Sequence, residues 1–443
     1  MIISAPVHPR VAIVGSGISG LAVAHTLKGL AEVSLFESGD YFGGHTHTVD
    51  ITLPTPLGEV THGVDTGFLV FNERTYPNLI NLFTELGVET AKSDMSFSVK
   101  APGVGSGGKA IEWSGSSLNS VFAQRRNLLN WRFLRMLKDI MRFNRITTAV
   151  ASANAEACMM QPLGDFLKAN RFSEEFCDWY FLPMMGCIWS CPTDQMLQFP
   201  VATMIRFCYN HGLIQVANRP QWWTVKGGAR HYVEKIISSI PDKRLNTPVR
   251  LVERDLEGVR IFTDGRVERF DKVVLAAHSD QSLAMLRDAS AAEQAVLGSI
   301  RYQANHAVLH TDASVLPEKK LAWAAWNYER AQHTQVADGQ STSVCLHYLL
   351  NLLQPLPFTQ PVVVSLNPVQ EIARNHIMGK FDYAHPVFDA AAIRAQGELT
   401  QLQGQQHTYY CGAWTGYGFH EDGFKSGLKV ARKLLLEVSG RPA

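Results

Sequence analysis

Residues 10–27, RVAIVGSGISGLAVAHTL, constrain the fold of this chain more than any other stretch. Val11 to Val14 form a short apolar run of the kind a buried strand requires. A tight turn and a helix-forming stretch follow, and EVSLFESG then supplies a second strand. The pattern predicts a βαβ opening to a parallel sheet. Gly15, Gly17 and Gly20 stand in G-x-G-x-x-G spacing at the turn. The first permits the turn, the second lets a pyrophosphate approach the backbone, and the third lets helix and strand pack closely. Ser16, Ile18 and Ser19 complete the turn, and the free N–H groups of the helix start would face a phosphate. Glu37 ends the second strand about 20 residues on, where an acid binds a ribose diol, and Ser38 follows it. A dinucleotide is expected, and the spacing leaves NAD and FAD both open.

The next stretch, YFGGHTHTVD at 41–50, poses a choice. His45 and His47 on an extended segment point the same way and could bind a metal. Alternatively, Gly43 and Gly44 could bring this loop against the dinucleotide. Seven cysteines (158, 177, 187, 191, 208, 345 and 411) include no close C-x-x-C pair. Cys187 and Cys191 lie four apart with no second pair to complete a zinc quartet. The odd count, and no secretory core in MIISAPVHPR, point to free thiols in a reducing compartment. No run approaches the roughly 18 apolar residues of a membrane span. A net charge of +1 gives no pull toward nucleic acid. The expected location is cytoplasmic, with peripheral contact on the inner membrane face left open.

Farther along, 75–88 reads as a helix, 95–100 and 109–115 as strands, and 117–170 as mostly helical. Residues 222–237 read as strand, Gly-Gly turn and helix, 248–278 as a β-meander, and the tail as strand, loop and helix. Three separated segments, SGDYFGGHTHTVD, NTPVRLVE and CGAWTGYGFHEDGFKSGLKVARKLL, resemble in the same order the flavoprotein superfamily of amine oxidases, protoporphyrinogen oxidases and phytoene desaturases. The resemblance implies FAD. It implies that Gly43, Gly44, His45 and Thr46 lie along the flavin, with His45 where many members carry arginine. His45 and His47 then belong to a cofactor-facing loop, and no metal is expected. The resemblance further places Gly67 and Phe68 near the flavin, Val249 against adenine, Gly412 at the end of the last strand, and Gly423 and Phe424 beside the flavin. Ser426 and Gly427 would open the closing helix. The implied fold class is α/β: a two-domain flavoprotein with a discontinuous Rossmann-type FAD domain (1–75, 222–290 and 405–443) and an α+β substrate domain (76–221 and 291–404) that includes a helical subdomain from about 117 to 215.

A narrower likeness rests on GVDTGFLVFNERTYPNL, SDMSFSV, PMMGCIWS, NLLQPL, YAHPVF and GYGFHEDG. Together they resemble a bacterial group that accompanies cyclopropane-fatty-acyl-phospholipid synthase-like methyltransferases. Some of that group resemble the flavin desaturase of furan fatty acid synthesis. The implied role is desaturation of a methylated or unsaturated fatty acyl chain in a membrane phospholipid, with a lipid methyltransferase as partner. Two other readings stay open: an amine oxidase releasing hydrogen peroxide, and a flavin-bearing partner without turnover of its own.

The residues themselves add less. Phe419 aligns with one of the two rings that face a substrate amine, with Trp414 and Tyr417 nearby. No carboxylate marks a pocket for an amine's charge. Trp179, Tyr180, Phe181, Met184, Met185, Ile188 and Trp189 would suit an apolar tunnel, or simply a core. Between 121 and 147, Arg125, Arg126, Arg132, Arg135, Lys138, Arg142 and Arg145 interleave with apolar residues against one acid, Asp139. This is either a solvated helix face or a basic amphipathic helix for anionic lipid. Candidate bases are His45 and His420, in the flavin motifs, then Lys226 before the Gly-Gly turn; a structural hydrogen bond accounts equally well for either histidine. Asp65 reads as a loop carboxylate capping backbone N–H groups.

Overall fold

The computed structural model describes residues 8–155, 159, 161–215, 219–330 and 344–438; Cys158 lies outside them. Strand β1 (Arg10–Val14) exposes only its first residue. Gly15 turns the chain with φ +103°, and helix α1 (Ile18–Leu27) follows with eight of its ten residues buried. Strand β2 (Glu32–Phe36) lies beside β1. Later segments supply β3 (Asp242–Arg244), β4 (Lys272–Leu275) and β5 (Thr408–Tyr410). The five strands are parallel, in the order β3-β2-β1-β4-β5. The central strands are apolar on both faces because helices and loops cover both sides of such a sheet. The closing helix, His420–Val438, packs on α1. A side chain at Gly423 would meet Ile18 Cγ2 at 2.8 Å, and one at Gly427 would meet Ala22 Cβ at 2.8 Å. Glycine at these positions is what lets the two helices close.

A second, seven-stranded sheet runs in the order 377–387, 301–310, 363–366, 345–349, 326–329, 97–101, 111–114. Its pairings are antiparallel except that of Trp326–Glu329 with Phe97–Ala101. Residues 249–270 form the expected three-stranded meander. Between 118 and 210 the described chain is mostly helical, and aromatic residues, among them Phe143, Phe166, Phe176 and Phe181, build a core of their own. The long helix Trp131–Ser152 buries Phe133, Met136, Asp139, Phe143, Thr147 and Ala151 at helical spacing. Asn130 caps it by accepting from the amides of Arg132 and Phe133.

Three elements from the segments read as substrate domain make contacts with segments read as FAD domain. Helix Pro77–Leu86, assigned to the substrate domain, buries Leu79, Leu82 and Phe83 in the core that also holds α1 and the closing helix. Strand Thr90–Ser93 pairs with Trp222–Val225. Helix Ala390–Glu398 likewise packs Ala392 and Ala395 into the core containing Val273 and Leu275 of β4. These contacts join residues far apart in sequence, and adjacent sequence does not show them.

Candidate active site

A cavity of about 410 Å³ runs from the Gly15–Ser19 turn into the helical layer. At its first end the walls are backbone. Gly17 stands at the N-terminus of α1 with no side chain capping the helix, and nothing lies within 4 Å of where its Cβ would be. The first-turn amides therefore face open space, as a phosphate needs. Behind them, a Cβ on Gly20 would strike the carbonyl oxygen of Gly15. Glu37 accepts hydrogen bonds from Ser16 N at 3.0 Å and Ser16 Oγ at 2.6 Å, and its second oxygen accepts from Gly39 N at 2.9 Å. Gly43 N donates to Ser16 Oγ at 3.2 Å, and a Cβ on Gly44 would sit 3.1 Å from Gly17 Cα. The glycine loop and the Gly43–Gly44 loop are thus clamped together over an open cradle. That cradle, the bare helix start and the acid at the strand end fit a dinucleotide.

The middle of the cavity holds imidazoles. His45 lies 5.4 Å from the His385 ring and 6.3 Å from His278, with Tyr383 at 5.1 Å. Its Nε2 is buried with no hydrogen-bond partner among the described residues. Burial, then the neighbouring His385, His278 and His420, hold His45 well below the ordinary histidine value. Burial likewise pushes His385 down to about 4 and His420 to about 3. All three are neutral at pH 7. His420 is differently placed: its Nε2 shares a 2.6 Å hydrogen bond with Tyr232 OH and lies 3.3 Å from Thr46 Oγ1. Its ring stacks on Phe68 at 3.8 Å.

The far end is an apolar arm. Phe207 stacks on His211 at 3.9 Å and on Phe419 at 4.9 Å, with Trp189, Tyr417 and Trp222 beside them. Among the described residues lining the cavity, Glu37 is the one acid, and it sits at the opposite end.

The structure brings Gly15, Ser16, Gly17, Ile18, Ser19, Glu37, Ser38, Gly43, Gly44, His45, Gly67, Phe68, Gly412 and His420 to the cavity wall. Gly20, Thr46, Gly423 and Phe424 are buried just behind it. Val249 is outside the cavity lining and its side chain packs in the core that contains β4, while the resemblance assigns its backbone to adenine; nearby Thr247 N reaches Glu37 O at 2.8 Å. Lys226 is not a candidate base. It is largely exposed, outside the cavity lining, and paired with Glu89 at 2.9 Å, because the strand before the Gly-Gly turn ends at the surface. The apolar stretch read as tunnel or core divides between the two: Ile188 and Trp189 line the cavity, while Trp179, Phe181, Met184 and Met185 are core. Asp65 accepts from Ala229 N at 2.9 Å and is structural; burial pushes its carboxyl up to about 7.

Sequence reasoning missed His278, His385, Phe207 and His211. His278 was within reach: it directly follows the buried strand LAAH, and ligands gather at the carboxyl ends of parallel strands. The others had no local signal. His47 does not converge with His45 on a metal; its Nδ1 lies 3.2 Å from Tyr383 OH. Among the described residues one group of possible ligating side chains does converge: Glu329, Cys345 and His347. By strand alternation it lies on the face opposite Trp326 and Tyr348, which line the cavity. Lys100 pairs with Glu329 at 3.1 Å, and His347 with Glu329 at 3.2 Å, closing the group as a buried ion network.

A parallel sheet with a glycine cradle at its carboxyl edge, joined through one cavity to a second sheet and a helical layer, defines a two-domain FAD-dependent oxidoreductase. The chain belongs to the family of flavin-containing amine oxidoreductases, whose model matches residues 18–344. Solved structures of similar fold include a CLA-producing fatty acid isomerase from P. acnes, at 16% identity and TM-score 0.63, covering 97% of this chain and 99% of that one. Cyclohexylamine oxidase from Brevibacterium oxydans IH-35A matches at 16% identity and TM-score 0.65, over 98% of this chain and 100% of that one. A putrescine oxidase variant matches at 15% identity and TM-score 0.65, over 97% and 99%. The comparison with curated proteins gives no match.

Proposed function

We propose that this oxidoreductase dehydrogenates a methylated or unsaturated fatty acyl chain of a phospholipid. The observation that carries the reading is the apolar arm, walled by stacked aromatic rings and, among the described residues, holding no acid to receive an amine's charge. The fatty acid isomerase of similar fold is consistent with a hydrocarbon chain in such a cavity. FAD, when bound, supplies the two-electron oxidation. The chain's own part is to exclude water, align the substrate and take up a proton. His45 is the candidate acceptor: the residue lines the cavity, its ring is held neutral by burial, and its Nε2 has no hydrogen-bond partner among the described residues. His420 positions rather than reacts: with Tyr232 it holds Thr46, and so the loop carrying His45. An adjacent double bond in the substrate would make the lost proton allylic and easier to remove. A lipid methyltransferase would supply such a chain.

The amine-oxidase reading keeps one observation in its favour, the stacked Phe207 and Phe419 rings. An anaerobic absorption spectrum separates the two. Bleaching of the flavin band by phospholipid, with lipid mass lower by two hydrogens, is the expected result. A flavin that stays oxidised with lipid and bleaches with an amine panel would replace the acyl reading.

A further inference from the structure

The helical layer presents a surface unlike the rest of the molecule. Among the described residues, six of the fourteen large apolar side chains that stand exposed fall between 118 and 141. Leu129 is 93% exposed, Leu118 81%, Met141 65% and Trp131 64%. They are not a failed core: Phe133, Met136 and Phe143 on the other face of the same helix are fully buried. The outer face of Trp131–Ser152 carries Trp131, Leu134, Arg135, Lys138, Met141 and Arg145, spaced three or four apart.

The charge on this face has one sign. Arg132 and Arg135 are held by the buried Glu175, and Arg142 by Asp139 at 3.2 Å. Arg125, Arg126, Lys138 and Arg145 have no carboxylate partner among the described residues. Arg125 and Arg126 bond backbone carbonyls at the rim of the patch. No acid is exposed between 118 and 149. An ordinary solvated helix face would mix both signs and lack projecting Leu and Trp. Exposed apolar side chains ringed by bases match the boundary between lipid headgroups and acyl chains.

We propose that this face docks on an anionic phospholipid bilayer, with Leu128, Leu129 and Trp131 among the acyl chains and Arg125, Arg126, Lys138 and Arg145 on lipid phosphates. Contact is peripheral, since no described helix is long and apolar enough to cross a membrane. The far end of the same helix reaches toward the apolar arm: Leu213 lines the cavity, and the carbonyl of the next residue, Ile214, is 3.5 Å from Thr148 Oγ1, about 25 Å along the helix from Trp131. Docking does not depend on the acyl-substrate reading, and the two fail separately.

The test is flotation of the full chain, loaded with FAD, on phosphatidylglycerol–phosphatidylcholine vesicles against pure phosphatidylcholine. Binding is expected on the anionic vesicles at low salt and should weaken as salt rises. Each neutralised base should weaken it roughly fivefold. L129E/W131E should lose binding at least tenfold while keeping its flavin. L57E and L256E, equally apolar sites that are 98% and 99% exposed on distant hairpins, should bind as wild type. Absence of wild-type binding at low salt would overturn the proposal, as would an equal loss in L256E. Self-association abolished by L129E, without vesicle binding, would assign the patch to a protein contact instead. Vesicle binding without acyl oxidation would leave the surface standing and sink only the substrate reading.

Discussion

The two ends of the cavity are built from different materials. The cofactor end is backbone: glycines, free amides and one acid, contributed mainly by three short loops. The substrate end is side chains: rings and imidazoles drawn from segments far apart in sequence, such as Phe207, His278, His385 and Phe419. A backbone wall binds what every family member binds and tolerates little change. A side-chain wall can be rebuilt one residue at a time.

That contrast sets the order of expected effects. The largest belongs to the glycine cradle. Gly15→Val would put a β-branched residue at φ +103°, with its Cβ 2.8 Å from the Ala276 carbonyl oxygen. Bound flavin and turnover should both vanish, as read by flavin absorbance per mole of protein; a G15V enzyme with full flavin would break the account. Next comes the pair of histidines. His45→Asn should keep flavin and cut turnover by about 10²- to 10⁴-fold. His420→Asn should mainly cost stability, about 1–3 kcal/mol for the buried partners left unsatisfied, measurable by denaturant titration. If the two phenotypes exchange, His420 is the acceptor.

A smaller effect lies in pH. His385 is held at about 4 in the folded state, against an ordinary value near 6.5. Its neutral form stabilises the fold fully above pH 6.5, and that contribution falls as pH drops toward 4, because the unfolded chain then binds the extra proton. His385→Asn should flatten stability against pH in that window by up to about 1.4 kcal/mol per pH unit. An unchanged slope would mean that His385 titrates normally. The smallest effect is at the surface: Lys226→Ala should leave flavin content, turnover and melting temperature unchanged, and a lost activity would return Lys226 to the site.

The cofactor end was legible because each of its requirements is local. A tight turn, a close approach and a helix start are properties of consecutive residues, so Gly15 to Gly20 and Glu37 announce themselves. The same holds for the closing motif, where Gly412 and His420 reach the cavity. The substrate end was mostly illegible because it depends on which faces tertiary packing turns inward. In PMMGCIWS, Ile188 and Trp189 face the cavity, while Met184 and Met185, a turn earlier, are core; composition cannot separate them. The packing of helix Pro77–Leu86 was illegible for the same reason, since Glu421, which accepts from Leu79 N at 3.0 Å, lies at the other end of the chain.

The packing of the last helix on the first has a consequence for biosynthesis. β5 must pair with β4, and Gly427 must seat on α1, before the cradle has its far wall. Almost 400 residues separate β1 from β5. At about 5–20 residues per second, the ribosome takes some tens of seconds to deliver that gap. Throughout that interval the glycine turn exists without its lid. Flavin capture is therefore a late event for the nascent chain, and a ribosome stalled before residue 405 would hold a turn that reads as dinucleotide-binding and retains no flavin.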